Sequence, residues 1–210
     1  MKELSQQKKY IKIPVGCNIL DKFDGGLPEL KCLVLILSKI YECGKADYAV
    51  IIPYKDFTCL GKAFKRGSGY IKECICDIVA KNRDNILEYF SLGCENAGCL
   101  VTLHKTTGHQ YYQVNIANVA AFNTVFGLRM YLLYRCNYSK FIKNKQRIFR
   151  YSDSEFMSYC GCSNSKSVYG LFSRCSDEFS VISGVSMEIS KDKRTDIWNI
   201  RYNRNSNDSK

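Results

Sequence analysis

The chain has 210 residues, 46% hydrophobic and 24% charged, a balance that excludes a disordered chain and fits one large or two small globular domains. Its net charge of +11 points to a polyanionic partner, because phosphate neutralisation dominates nucleic-acid affinity. No apolar run approaches the ~18 residues of a membrane span, and the polar start Met1–Lys9 has no secretory apolar region, so the 12 Cys are expected as thiols in a reducing cytoplasm.

Tyr10–Pro14 reads as a short strand stopped by proline, behind a basic tail containing Lys8 and Lys9. Gly25-Gly26 breaks the chain, Pro28 suits a first helical turn, and Leu30, Leu33, Leu37 and Ile40 mark the apolar face of a helix over Leu30–Cys43. Ala49–Pro53 is a β-type stretch leading into a two-turn helix, Tyr54–Leu60. After the turn Lys65–Gly69, the positions of Ile71, Ile75, Ile78 and Val79 predict an amphipathic helix over Ser68–Lys81, with a further helix over Asp84–Leu92. Leu100–His104 and Tyr111–Ile116 alternate in polarity around Lys105-Thr106-Thr107-Gly108 and predict a hairpin with a basic tip.

The order then repeats. Phe122–Arg135 has helical spacing, Lys140, Lys143, Lys145, Arg147 and Arg150 crowd the following loop, and Ile148–Tyr151 is a strand. Ser152 and Glu155 have capping-box spacing, so a helix begins at Asp153 and runs to Cys160. Val168, Leu171, Phe172 and Cys175 form the inner side of a helix over Ser165–Cys175. Val185–Ser190 and Ile197–Tyr202 form a hairpin turning at Lys191–Thr195. Helix, helix–turn–helix and hairpin, met twice, predict an α+β chain of two tandem winged-helix domains. The first covers 1–118 with its basic tail, the second 119–204, and 205–210 is a frayed end. Residues 1–118 hold 16 Lys/Arg against 12 Asp/Glu and 119–210 hold 15 against 8, so the second copy is the more basic.

In such a domain the third helix reads base edges and the hairpin tip holds phosphates. In the second copy those positions are Ser165, Lys166, Ser167, Tyr169 and Arg174 on the helix and Lys191, Lys193 and Arg194 on the tip, with no carboxylate on the helix before Asp177. In the first copy they are Lys62, Lys65, Arg66, Tyr70, Lys72 and Lys105, but Glu73 and Asp77 share the helix and oppose phosphate. Cys94, Cys99, His104 and His109 are zinc-type ligands in a C-x4-C-x4-H-x4-H array, whose spacings fit structural zinc sites poorly. No cofactor is expected. Catalytic motifs are missing from the sequence: there is no Walker loop, no nucleophile elbow, and no His cluster of the kind a rolling-circle nickase needs.

Three stretches of the second copy resemble the initiator (Rep) proteins of theta-replicating plasmids and related mobile elements. They are Leu128-Arg129-Met130-Tyr131-Leu132-Leu133-Tyr134-Arg135, Tyr151-Ser152-Asp153-Ser154-Glu155-Phe156 with Cys160-Gly161, and Val168-Tyr169-Gly170-Leu171-Phe172. That resemblance implies two winged helices that bind repeated origin sites, a third helix in the major groove, and switching between dimer and monomer. The expected function is non-enzymatic binding of double-stranded DNA by a plasmid, phage or integrated-element protein, as replication initiator or regulator. A homodimer and a protein partner at the first domain are compatible with this. The alternative is a phage-encoded anti-defence inhibitor that occupies a host nuclease or another nucleic-acid-binding protein, to which the carboxylates Glu73 and Asp77 are better suited.

Overall fold

In the computed structural model, which describes residues 10–15, 23–43, 49–82, 89–104 and 110–204, the chain divides into two units. One comprises Met1–Cys17 with Pro28–Ala121, the other Asn18–Leu27 with Phe122–Lys210. The first unit contains β1 (Tyr10–Pro14), α1 (Leu27–Cys43), β2 (Ala49–Pro53), two 3-10 turns (Tyr54–Leu60 and Lys62–Arg66), α2 (Ser68–Lys81), β3 (Phe90–Cys94), β4 (Gly98–Leu103), β5 (Tyr111–Asn115) and α3 (Ile116–Ala121). Cys32 through Leu37 are buried without a break, so α1 is the core of this unit rather than a one-sided surface helix. Lys31 is buried with them because its Nζ donates to the Ala120 carbonyl at 2.8 Å, at the end of α3 where a cation complements the helix dipole.

Strand β4 lies between β2 and β3, with Ile52, Cys99 and Val101 turned into the core. The expected hairpin is therefore wrong. Leu100–Leu103 pairs with β2 and β3, whereas Tyr111–Asn115 pairs with β1 in the register Ile13↔Tyr112. The wing of this unit is β3–β4, and its turn is Glu95-Asn96-Ala97, acidic where a basic tip was expected. Helix over Asp84–Leu92 is likewise corrected: Phe90–Leu92 is strand, and residues 83–88 lie outside those described. Lys105–Gly108 also lie outside them. The segment Tyr54–Arg66 winds as 3-10 turns rather than one α-helix followed by an open turn, interrupted at Gly61, whose φ of 128° favours glycine.

The second unit contains α4 (Val125–Lys143), β6 (Ile148–Ser152), α5 (Asp153–Cys160), α6 (Ser165–Ser183), β7 (Val185–Asp192) and β8 (Ile197–Arg204). Helix α4 runs through Lys140 and Lys143, which were expected in a loop. The third helix continues two turns beyond Cys175 because Phe179 extends its buried face. The sheet order β6–β8–β7 repeats β2–β4–β3, so in both units the strand before the helix–turn–helix pairs with the second strand of the wing. Trp198, Ile200 and Tyr202 alternate inward from β8 and are fully buried. Tyr202 centres an aromatic core, its ring 5.1 Å from Tyr134 and 5.6 Å from Phe149.

Candidate nucleic-acid interface

Helix α5 starts at a cap: the Ser152 hydroxyl accepts from the Glu155 amide at 3.3 Å. It ends on Gly161, left-handed at φ 66°, with the Cys162 amide returning to the Met157 carbonyl at 3.0 Å. Three residues later Asn164 caps α6, its Oδ1 accepting from the Ser167 amide at 2.9 Å and the Ser167 hydroxyl at 3.0 Å. The C-terminal end of α5 is held to α4 by Arg129, buried at 4% exposure. Its guanidinium donates to the Ser158 and Tyr159 carbonyls at 3.4 and 3.2 Å and to the Phe23 carbonyl at 2.6 Å. Burial pulls the Arg129 pKa down. Glu178 performs the matching task from α6, accepting from the Asn123 amide and the Thr124 hydroxyl, each at 2.6 Å, so that the third helix fixes the start of α4.

With Val168, Cys175 and Phe179 buried, α6 exposes Lys166, Ser167, Tyr169, Gly170, Ser173 and Arg174 on its other side. A Cβ on Gly170 would meet nothing within 4 Å, so this side is open. The Arg174 Nε donates back to the Gly170 carbonyl at 3.1 Å, laying the guanidinium along the helix. Lys193 and Arg194 are exposed at the wing tip, where the Asp192 carboxylate accepts from the Arg194 amide at 2.9 Å. That bond and those from Thr195 hold Asp192 below the ordinary carboxylate range.

Lys191 behaves differently from its neighbours. Its side chain is only 17% exposed, and its Nζ reaches Asp153 Oδ1 at 2.8 Å, Asp196 Oδ1 at 3.1 Å and Ser165 Oγ at 3.2 Å. Its backbone amide donates to the Tyr169 hydroxyl at 3.0 Å. Trp198 closes the node: its Nε1 donates to Asp153 at 2.8 Å, and its ring lies 5.2 Å from that of Tyr169. Lys191 and Ser165 therefore lock the wing to α5 and α6 as internal partners. Tyr169 both joins this lock and stays 43% exposed. Sequence spacing hides such a node, since its members come from three separate segments. The one visible signal was Asp153 at the first position of a capped helix.

The hydrogen bond from Lys191, reinforced by that from Trp198, holds Asp153 below its ordinary value. A depressed carboxylate stabilises the fold above its unfolded pKa of about 3.9 and loses that contribution as pH falls through the lower folded value. Trp198 is the only Trp in the chain, so its fluorescence reports this directly. An acid titration should show a step with its midpoint below about 3.9, absent in Asp153→Asn. A midpoint at or above the ordinary value would contradict the assignment.

In the first unit Lys62, Lys65 and Arg66 are exposed beside α2, while Tyr70 and Lys72 are half-buried. Tyr70 packs edge-on against Phe64 at 5.6 Å, and Lys72 sits over the Tyr54 ring at 5.5 Å. The Tyr54 hydroxyl donates to the Glu95 carbonyl at 2.8 Å, tying this wing to its helical segment as Tyr169 ties the other. Burial, with smaller help from Cys94, pushes that phenol up to about 12. Glu73 and Asp77 occupy the exposed side of α2. The four zinc-type residues are not brought together. Cys94 and Cys99 are register partners, but His104 follows the far end of β4, five residues or about 16 Å along the strand. His109 and Lys105 lie outside the described residues. Among the described residues no three His, Cys, Asp or Glu are grouped so as to hold a metal, and no helix is long and apolar enough to cross a membrane.

No protein-family model matches the chain, and no curated protein matches it. Among solved structures, that of Pi initiator protein in complex with iteron DNA is similar, with a TM-score of 0.61 and 14% sequence identity over 96% of this chain and 100% of the other. The chain thus has the tandem winged-helix fold of the Pi initiator protein.

Proposed function

We propose that the chain is a non-enzymatic DNA-binding protein of the replication-initiator type, which binds duplex DNA by placing α6 in the major groove with the β7–β8 wing on the flanking backbone. The observation that carries this is the exposed side of the first turns of α6: Lys166, Ser167, Tyr169, Gly170, Ser173 and Arg174 with no carboxylate before the exposed Asp177, locked through Lys191 to a wing ending in Lys193 and Arg194. Donors near the first turn of a helix can reach base edges while its amides and the wing hold phosphates. Ser165 and Lys191 position these groups. Lys62, Lys65 and Arg66 add phosphate contacts from the first unit. That the fold relative was solved on iteron DNA supports repeated duplex sites as the target. Selection from a random duplex pool with the full chain should enrich one motif, and footprinting should protect it on one face of the helix. Recovery of an unbiased pool would remove the reading.

A protein partner at the first unit is favoured by a separate observation. Glu73 and Asp77 are exposed on α2, and Glu95 is exposed on the adjoining wing turn, where phosphate would be repelled. This surface serves equally a second initiator subunit, a replication partner, or the host target of an anti-defence inhibitor. Weak, sequence-independent DNA binding together with partner capture lost in Glu73→Ala and Asp77→Ala would select the inhibitor.

A further inference from the structure

The described thiols of the first unit differ in exposure, Cys59 being half-buried. Cys32, Cys74 and Cys99 are buried, while Cys76 on α2 and Cys94 at the end of β3 are exposed. The Cys94 Sγ lies 3.9 Å from the Lys72 carbonyl oxygen, one helical turn before Cys76 on the same edge of α2. Burial and the neighbouring Cys76 thiol both raise the Cys94 pKa. Cys99, the register partner of Cys94 across the wing, is fully enclosed in the core. Solvent therefore reaches Cys76 and Cys94 as an adjacent pair.

We propose that Cys76 and Cys94 are a thiol–disulfide modification site, closed by exchange with an oxidised low-molecular-weight disulfide and bridging α2 to the first wing strand. One protein thiol loses its proton and attacks a sulfur of the oxidant, breaking the oxidant's S–S bond and expelling one small thiolate. The second protein thiolate then attacks the protein-side sulfur of that mixed disulfide and expels the other small thiolate. Two protein thiols lose two protons and two electrons; the oxidant takes up both electrons and leaves as two thiols. The bridge fixes α2, the counterpart of α6, against its wing by a covalent bond, where the second unit uses the Lys191 node.

The test treats the full chain with oxidised glutathione, alkylates the remaining thiols and maps the peptides. The expected product is a Cys76–Cys94 crosslink that reduction removes, persisting in Cys99→Ala. In Cys76→Ser, Cys94 should instead carry glutathione. Hydrogen exchange along α2 should slow in the oxidised protein and return to its starting rate on reduction. Alkylation of both Cys76 and Cys94 after oxidant treatment would overturn the proposal, as would recovery of Cys94 linked to Cys99.

Discussion

Arg129→Ala is expected to cost the second unit about 2–4 kcal/mol, lowering its unfolding midpoint on the order of 10–20 °C. The size follows from what the guanidinium satisfies. A helix leaves its last four carbonyls without internal partners, and α5 has only eight residues over which to recover that loss. Arg129 supplies donors to two of those carbonyls and to Phe23, from a site that water does not reach freely. A methyl group in its place leaves the acceptors and a cavity behind, since Gly161 packs so close that a Cβ there would lie 3.1 Å from the Arg129 Cζ. Arg129→Lys should recover only part of the loss, because one ammonium cannot face Phe23 and the α5 terminus as a planar fork does. Thermal unfolding followed at Trp198 measures both variants. An unchanged midpoint in Arg129→Ala would show that the helix end is satisfied by other means.

Arg129 illustrates which features the sequence makes legible. A charged residue inside Leu128-Arg129-Met130 is a local oddity that marks a buried role, but its acceptors lie 29, 30 and 106 residues away, beyond any spacing rule. Features with a short period were readable. The Ser152–Glu155 cap, the alternation along β8 and the position of the second hairpin turn all follow from local pattern. Strand partners did not follow. Leu100–Leu103 and Tyr111–Asn115 alternate correctly, yet alternation states which face is buried and not which neighbour is bonded. β3 was mistaken for helix because Ser91-Leu92-Gly93 carries no alternating row of large side chains. The end of α6 was set too early, at Cys175, because Phe179 alone carries the buried face past that point. Lys191 reads as one more wing cation by composition, and only the node around Asp153 and Trp198 separates it from Lys193 and Arg194.

That separation decides how substitutions in the interface should divide. Lys166→Ala removes an exposed donor in the first turn of α6 and should weaken binding to the selected duplex by about 1–3 kcal/mol, narrowing the gap to unrelated DNA. Tyr169→Ala should weaken binding by a similar amount but also lower stability, because it removes the acceptor for the Lys191 amide and the ring beside Trp198. Lys193→Ala and Arg194→Ala lie on the tip, where contacts are with phosphate and carry no sequence. Each should weaken binding to every duplex alike and reduce the slope of log affinity against log salt by about one unit. Lys191→Ala should leave that slope nearly unchanged, since its ammonium is already neutralised by Asp153 and Asp196, and should instead disturb the Trp198 signal and blur discrimination between sites. Titrations of the selected and scrambled duplexes at several salt concentrations separate these outcomes. Combining Lys166→Ala, Tyr169→Ala, Lys193→Ala and Arg194→Ala should abolish specific binding at physiological ionic strength. If that quadruple variant bound as tightly as the parent, α6 and its wing would not be the DNA-reading surface, and the exposed carboxylates of α2 would become the leading candidate for the working face.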